Sequence, residues 1–119
     1  MPQYAVLIYA VDSAHAPGSG PSELKENDRH ADELAKSGSM LLAYAFTPRE
    51  MATSIRAGGI TNGPFVDVEE SIAGFYVIEA PDLNAALAIA GINPAVRTAK
   101  GGVEVRPVHS GGVIARETQ

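Results

Sequence analysis

The sequence predicts an α+β fold in a single domain. Its apolar residues fall into short runs bounded by turn residues, which is typical of strands, and into two stretches of helical period. The chain has 119 residues, the usual size of one domain. Hydrophobic residues make up 45% of the sequence, which is enough to form a core. These observations together favour a small sheet packed against helices.

The first part of the chain predicts a strand, a loop and a helix. Residues 4–11 (YAVLIYAV) form a short apolar run, which is typical of a strand buried on both faces. Residues 12–21 are rich in glycine, proline and serine and predict a loop. A helix is expected over residues 21–37, because proline suits its first position and Gly38 suits the left-handed residue that ends it.

The middle of the chain predicts strands only. Residues 40–46 (MLLAYAF) form a second apolar strand. Residues 53–56 and 60–61 are short strands joined at residues 57–59, where Ala-Gly-Gly favours a hairpin turn. Residues 74–80 (GFYVIEA) form the next apolar strand.

A second helix and a last strand complete the predicted domain. Asp82 is a good N-cap residue for this helix. The apolar stripe at positions i, i+3, i+4 and i+7 consists of Leu83, Ala86, Leu87 and Ala90. Residues 103–108 predict the last strand, so the domain covers residues 1–110 and residues 111–119 form a flexible tail.

The predicted order β-α-β-β-β-α-β is a ferredoxin-like βαββαβ core with an enlarged middle. Two helices cover one face of such a sheet, but the first strand is apolar on both faces. One face carries Tyr4, Val6 and Ile8, and the other carries Ala5, Leu7, Tyr9 and Val11. A second copy packed sheet to sheet would cover the other face, so we expect a homodimer. The charged fraction of only 19% agrees with this expectation.

The composition argues against several classes of function. The net charge of -5, with 9 scattered Lys and Arg residues, argues against nucleic-acid binding. Without cysteine the chain has no disulfide, thiolate nucleophile or sulfur ligand. No apolar run reaches the ~20 residues that span a membrane, and the start lacks a signal-peptide core. We therefore expect a soluble cytoplasmic protein with neither a membrane nor a nucleic-acid partner.

The sequence predicts neither a metal site nor a cofactor. The three histidines, His15, His30 and His109, show no ligand spacing. The glycine-rich residues 18–21 and 100–102 match neither the P-loop nor the dinucleotide-binding pattern.

His30 is the first candidate catalytic residue. It lies at the edge of the apolar stripe of the first predicted helix, from where it could reach over the sheet edge as a general base. Glu26 lies at i-4 and could instead hold His30 on the helix surface. The sequence leaves both interpretations open.

The acidic segment that follows the Asn-Gly-Pro turn is the second candidate. It carries Asp67, Glu69 and Glu70. Either Asp67 or Glu70 could point into a cleft as a base or a cation ligand. The alternative is a solvated turn, or a capping group for a short helical turn.

Three further residues are candidate ligand-binding groups. Glu104 and Arg106 alternate with valines on the last strand, so both point to one face of the sheet. Arg106 could anchor an anionic ligand there, or the two could form a structural ion pair that ties two subunits together. Tyr9 could line a pocket rather than the core. Asn62 begins a turn at the mouth of the sheet, where sites often lie.

Four segments, in the right order over nearly the whole chain, resemble YCII-related proteins and, more narrowly, their DGPF-domain branch. These segments are residues 6–9 (VLIY), 61–65 (TNGPF), 74–80 (GFYVIEA) and 103–108 (VEVRPV), and Glu70 adds a matching position. The resemblance implies a dimeric α/β barrel built from ferredoxin-like subunits. It also implies a His-Asp pair in a cleft, in which His30 matches the histidine.

The sequence departs from that branch in the turn and in the acidic segment. Asn62 stands where the branch has aspartate, and asparagine makes the same turn but cannot act as a base. Asp67 and Glu69 stand where the branch has glutamate and lysine. If the motif carries chemistry in its relatives, that chemistry is altered here. If it only shapes a turn, nothing is lost.

Two hypotheses about function follow. The first is a small enzyme without a redox cofactor, acting on an anionic or cyclic organic substrate. His30 would be its acid/base, Asp67 or Glu70 the assisting carboxylate and Arg106 the substrate anchor. The second is a non-enzymatic dimeric module that senses a ligand or contacts a sigma factor, because the resemblance implies neighbouring genes for extracytoplasmic-function sigma factors.

Overall fold

A computed structural model describes residues 1–11 and 38–112 of the chain. The predicted first helix, with His30, and the last part of the predicted tail lie outside the described residues.

A four-stranded antiparallel sheet forms the centre of the described structure. Its strands are β1 (Gln3–Ala10), β2 (Met40–Ala45), β5 (Ser71–Glu79) and β6 (Gly102–Pro107). Their order across the sheet is β2-β5-β1-β6, so the central strands are β5 and β1. The predicted strands at residues 4–11, 40–46 and 103–108 are confirmed to within one residue at either end, whereas β5 begins three residues before the prediction.

A separate two-stranded hairpin carries the elaborated middle of the chain. It consists of β3 (Thr53–Arg56) and β4 (Gly59–Asn62). The hairpin is confirmed, but β4 begins at Gly59, so the turn contains one residue fewer than predicted. Gly59 has a φ of 139°, a conformation that glycine adopts at no steric cost.

The helix of the described structure, α1 (Leu83–Ala90), follows β5 directly. Its start is confirmed, because the Asp82 side chain accepts a hydrogen bond of 2.8 Å from the backbone N–H of Ala85. Two single turns of 3₁₀-helix, Arg49–Met51 and Pro94–Arg97, complete the regular structure. None of the described helices is long and apolar enough to cross a membrane.

The core lies between one face of the sheet and α1. Residues opposite each other on paired strands share a face, and Val6 faces Tyr76 on one side and Val105 on the other. The fully buried members of the core are Tyr4, Val6, Tyr76, Ile78, Ala80, Ala86 and Ala90. Ala86 and Ala90 of α1 belong to this core, and their small side chains let the helix backbone approach the sheet closely.

The opposite face of the sheet, called the open face below, is only half-covered. It carries Ala5, Leu7, Tyr9, Leu42, Tyr44, Phe75, Val77, Glu104 and Arg106. Burial therefore alternates along β5, with every second residue buried and its neighbours half-exposed. In the single chain Ala5, Leu7 and Tyr9 are half-buried and Tyr44 on the same face is 61% exposed, so burial of the first strand on both faces remains a prediction that requires a second copy.

Two register shifts bend the sheet. One lies opposite β1 between Ile8 and Tyr9, where β5 carries the extra residue Ala73. The other lies in β2 between Met40 and Leu42. An extra residue increases local twist and redirects the side chains beyond it. The first shift lies beside Tyr9 and Ile72, which line the cleft described below.

The described structure combines a mostly antiparallel sheet with a helix, so the α+β class is confirmed.

Candidate functional site

A cleft of about 890 Å³ lies at one end of the main sheet. The end of β1, the chain after β2, the segment after β4 and the start of β5 form its walls. Its lining consists of Tyr9, Ala45, Phe46, Thr47, Pro48, Arg49, Ala52, Pro64, Phe65, Val66, Val68, Glu70, Ser71 and Ile72. Most of these side chains are apolar, which is typical of pockets for small organic molecules.

The turn at residues 62–65 positions one wall of this cleft. Gly63 has a φ of 105°, which explains why glycine follows Asn62. The Gly63 N–H donates to Ala52 O at 2.7 Å, and the Ser54 hydroxyl donates to Gly63 O at 2.7 Å. These bonds fix the turn to β3, so Pro64 and Phe65 face the cleft.

Arg56 holds Phe65 in place. Its guanidinium donates to Phe65 O and lies over the Phe65 ring, with the central carbon 3.7 Å from the ring centroid. Because a planar guanidinium can stack and donate at once, one side chain fixes both the backbone and the ring of this residue.

Arg49 holds the opposite wall, which is the acidic segment. It donates to Val68 O at 2.6 Å and to Glu69 O at 2.7 Å, and it lies 3.5 Å from Asp67 Oδ1. It also donates to Val11 O at 3.4 Å, at the end of β1. The guanidinium therefore ties the acidic segment to both β1 and the turn after β2.

Glu70 and Tyr9 lie where this cleft meets a second, more open cleft of about 520 Å³. The second cleft is lined by Tyr9, Glu70, Lys100, Gly101, Gly102, Val103 and Glu104. Glu70 is half-buried, directly before the first residue of β5. A carboxylate placed between two clefts can accept a hydrogen bond or a proton from a molecule in either one.

Tyr9, Glu104 and Arg106 form a polar row on the open face. The Arg106 guanidinium donates to Glu104 Oε2 at 3.1 Å, and Glu104 is hydrogen bonded to Tyr9. Burial and the Glu104 carboxylate raise the pKa of Tyr9 above its usual 10.0, and Arg106 opposes this effect. The Tyr9 hydroxyl therefore keeps its proton at neutral pH and acts as a hydrogen-bond donor.

The predicted site residues fall into three groups. Tyr9 and Glu70 are brought together in the cleft walls. Asn62 and Arg106 lie outside both linings, as does Asp67, whose side chain is 93% exposed. His30 lies outside the described residues, so the proposed catalytic pair remains a prediction.

Arg49 is the member of the site that sequence analysis undervalued. As an isolated arginine outside any motif, it would ordinarily be a surface residue. A signal was present, because Thr47-Pro48 ends the preceding strand and puts Arg49 in a turn beside the sheet edge. No sequence pattern shows that the acidic segment lies opposite.

Within residues 1–11 and 38–112, no group of three or more His, Cys, Asp or Glu side chains is arranged to hold a metal ion. A model of the YCII-related domain matches residues 3–110. These residues include every described strand, α1 and the whole lining of both clefts. No curated protein matches the sequence.

Proposed function

Because the chain belongs to the YCII-related family, we propose that it forms a dimer of ferredoxin-like subunits that binds a small organic molecule in the larger cleft. Glu70 and His30 are the proposed acid/base groups that act on this molecule. The observation that carries this proposal is a large apolar cleft with a half-buried carboxylate at its inner junction.

The strand order supports a ferredoxin-like arrangement. With the β3–β4 hairpin set aside, the four main strands follow the order second-third-first-fourth across the sheet. β1 and β2 are parallel to each other with β5 between them, and β5 and β6 are parallel to each other with β1 between them. The chain connection from β5 to β6 contains α1, as a βαβ unit requires.

The open face supports a dimer. It is apolar along β5 and β2 and carries the polar Tyr9–Glu104–Arg106 row along its β1–β6 side. A half-exposed sheet face of this kind gains stability when a second copy removes it from water, at roughly 25 cal/mol per Å² of apolar surface. In such a dimer the open faces of the two copies pack against each other about a two-fold axis, which is the usual symmetry of a homodimer.

Acid–base chemistry is the enzymatic form of the proposal. Glu70 would exchange a proton with the bound molecule. Tyr9, which keeps its proton, would line the site next to Glu70. The proposed function uses neither a metal ion nor a redox cofactor. Asp67 is the weaker choice for the assisting carboxylate, because its side chain points into solvent beside Arg49.

A non-enzymatic binding module is the second candidate. The observation that favours it is the structural use of the acidic segment, whose backbone carbonyls accept from Arg49. Asn62, which replaces the aspartate of the DGPF branch, lies outside the cleft and begins a turn. A motif that only shapes the cleft is sufficient for a sensor of small ligands or a partner of a sigma factor.

A paired steric test locates the ligand. A library of small ring compounds is screened by thermal shift against wild type, Ile72→Trp and Ile55→Trp. Ile72 lines the cleft, whereas Ile55 lies on the hairpin outside it and is 72% exposed. We expect some compounds to raise the melting temperature of wild type and Ile55→Trp by several degrees. The same compounds should leave the melting temperature of Ile72→Trp unchanged. Hits that survive in Ile72→Trp, or an empty screen, would contradict a site in this cleft.

The hits then separate the two candidate functions. Each is incubated with wild type, Glu70→Gln, His30→Ala and Asp67→Asn, and its chemical conversion is followed by NMR. The enzymatic form predicts conversion that is lost in Glu70→Gln and His30→Ala and retained in Asp67→Asn. Ligands that bind wild type and are recovered unchanged favour the binding module.

A further inference from the structure

We infer that the larger cleft selects neutral or cationic molecules that donate hydrogen bonds and discriminates against carboxylates. This inference deepens the proposed function and rests on it, because it names the chemical class of the molecule that the same cleft takes. It differs from the anionic substrate and Arg106 anchor that the sequence suggested.

The lining of the cleft contains two charged side chains, Arg49 and Glu70. The remaining polar side chains are those of Tyr9, Thr47 and Ser71, which are uncharged at neutral pH. The selectivity for charge therefore depends on which of the two charged groups is available to a ligand.

The Arg49 guanidinium is already occupied by the protein. Its two terminal nitrogens donate to the carbonyls of Val68, Glu69 and Val11, and one of them also faces Asp67. A guanidinium has five N–H donors in a fixed plane, and these contacts lie on both of its terminal nitrogens. An anionic ligand would have to displace bonds that hold the cleft wall in place.

Glu70 has a different environment. Within the described part of the chain, its carboxylate makes neither a hydrogen bond nor an ion pair. Lys100, the cation that lines the second cleft, is paired instead with Glu69 at 2.5 Å. The remaining acidic group there, Glu104, is paired with Arg106. Among these residues, Glu70 is the charge left for a ligand.

An unpaired carboxylate in a mostly apolar cleft favours one kind of partner. A donor on the ligand, above all a cationic one, forms a charge-assisted hydrogen bond that is about twice as strong as a neutral one. A carboxylate on the ligand meets like charge in a site where water screens it poorly, and it must also give up its own hydration. The ring of such a ligand would pack against Phe46, Phe65 and Ile72.

Three probes that share one ring test this selectivity. Benzylamine, benzyl alcohol and benzoate differ in the charge and donor capacity of a single substituent. Their dissociation constants are measured by ligand-observed NMR titration against wild type, Glu70→Gln, Glu70→Lys and Glu50→Gln, with circular dichroism to confirm folding. Glu50→Gln makes the same chemical change at an exposed position outside both linings and is the matched control.

We expect wild type to bind benzylamine most tightly and benzoate most weakly, with a ratio of about tenfold or more between them. Glu70→Gln should reduce this ratio several-fold, Glu70→Lys should reverse the order, and Glu50→Gln should preserve it. If Glu70→Lys does not fold, the change in the ratio of the two dissociation constants in Glu70→Gln tests the role of Glu70.

Two outcomes would overturn the inference. Wild type that binds benzoate as tightly as benzylamine, or a ratio that Glu70→Gln leaves unchanged, would show that Glu70 does not select the ligand, although the cleft would still be a small-molecule site. Failure of all three probes to bind also overturns the inference. The proposed function fails only if the wider thermal-shift screen is empty as well.

Discussion

At the scale of single residues, Arg49 shows how one side chain defines a cleft without serving a ligand. Its contacts join segments that are 19 and 38 residues apart in sequence, at Val68 and Val11. Most of its partners are backbone carbonyls, so the identity of the side chains in the acidic segment matters less than the path of the backbone.

Within the described part of the chain, folding changes the ionisation of Tyr76 more than that of any other residue. It is 3% exposed and lies in the core beside α1. Burial raises its pKa from 10.0 to about 12, and the Asn93 side chain opposes part of that rise. Asn93 is itself buried and accepts from the backbone N–H of Ala95 at 2.9 Å.

We predict that Tyr76 makes the free energy of unfolding fall at high pH. The unfolded chain releases the phenolic proton near pH 10, whereas the folded chain holds it until about pH 12. The contribution of the neutral phenol is thus complete below pH 10 and declines between those two values. Urea denaturation from pH 8 to 11.5 should show a smaller decline in Tyr76→Phe than in wild type. Parallel curves for the two proteins would contradict the prediction.

At the scale of elements, β5 organises the sheet and depends on Gly74. This residue pairs with Ile8 on one side and with Ala45 on the other. A Cβ added there would lie 2.5 Å from Tyr44 O and 3.2 Å from the Ala45 Cα, both in the backbone of β2. Backbone cannot rotate aside as a flexible side chain can, so the close approach of β2 and β5 requires glycine.

We predict that Gly74→Ala lowers the free energy of unfolding by about 1–3 kcal/mol, because β2 must move away from β5. Gly102→Ala is the matched control, since it also lies in a strand, has ordinary backbone angles and has no atom within 4 Å of the added Cβ. It should change stability by less than ~1 kcal/mol. Urea denaturation measures both, and equal effects of the two substitutions would refute the steric explanation.

The β3–β4 hairpin is an element whose value lies in what it positions. Its cross-strand pair Ile55 and Ile60 is largely exposed, so the hairpin contributes little to the core. Its inner residue Ser54 is buried and holds the turn at Gly63. The hairpin therefore positions Pro64 and Phe65 in the cleft wall.

At the scale of the whole molecule, the asymmetry between the two sheet faces is the main consequence of the fold. One face is covered by α1 and contains the buried core. On the open face, Leu7 lies at the centre, between Phe75 on β5 and Glu104 on β6. A second copy packed on this face would bury the apolar residues together with the Glu104–Arg106 pair.

We predict that Leu7→Glu dissociates the proposed dimer. A carboxylate at this position, next to Glu104, must lose its hydration when the faces meet, and we expect the dissociation constant to rise more than about tenfold. Ile55→Glu, on the exposed hairpin, is the control and should leave association unchanged. Size-exclusion chromatography with light scattering gives the mass of each variant. Wild type that elutes as a monomer at all concentrations would rule the dimer out.

The sequence by itself determined the strands, the hairpin, the helix start at Asp82 and the family, because these depend on local patterns of polarity and on turn residues. It also pointed to Tyr9 and Glu70, which line the larger cleft and whose roles stay predictions. It did not identify Arg49 as the residue that organises the site, and it gave Asp67 the same weight as Glu70.

Only the tertiary structure decided between the two carboxylates. Asp67 and Glu70 are three residues apart and chemically alike, yet the path of the backbone turns one into solvent and the other into the cleft. That path is set by contacts of Arg49 and by the register shift in β5, which join residues far apart in the chain. Local sequence encodes polarity and turn geometry, whereas the direction of a loop side chain depends on non-local contacts that leave no periodic pattern.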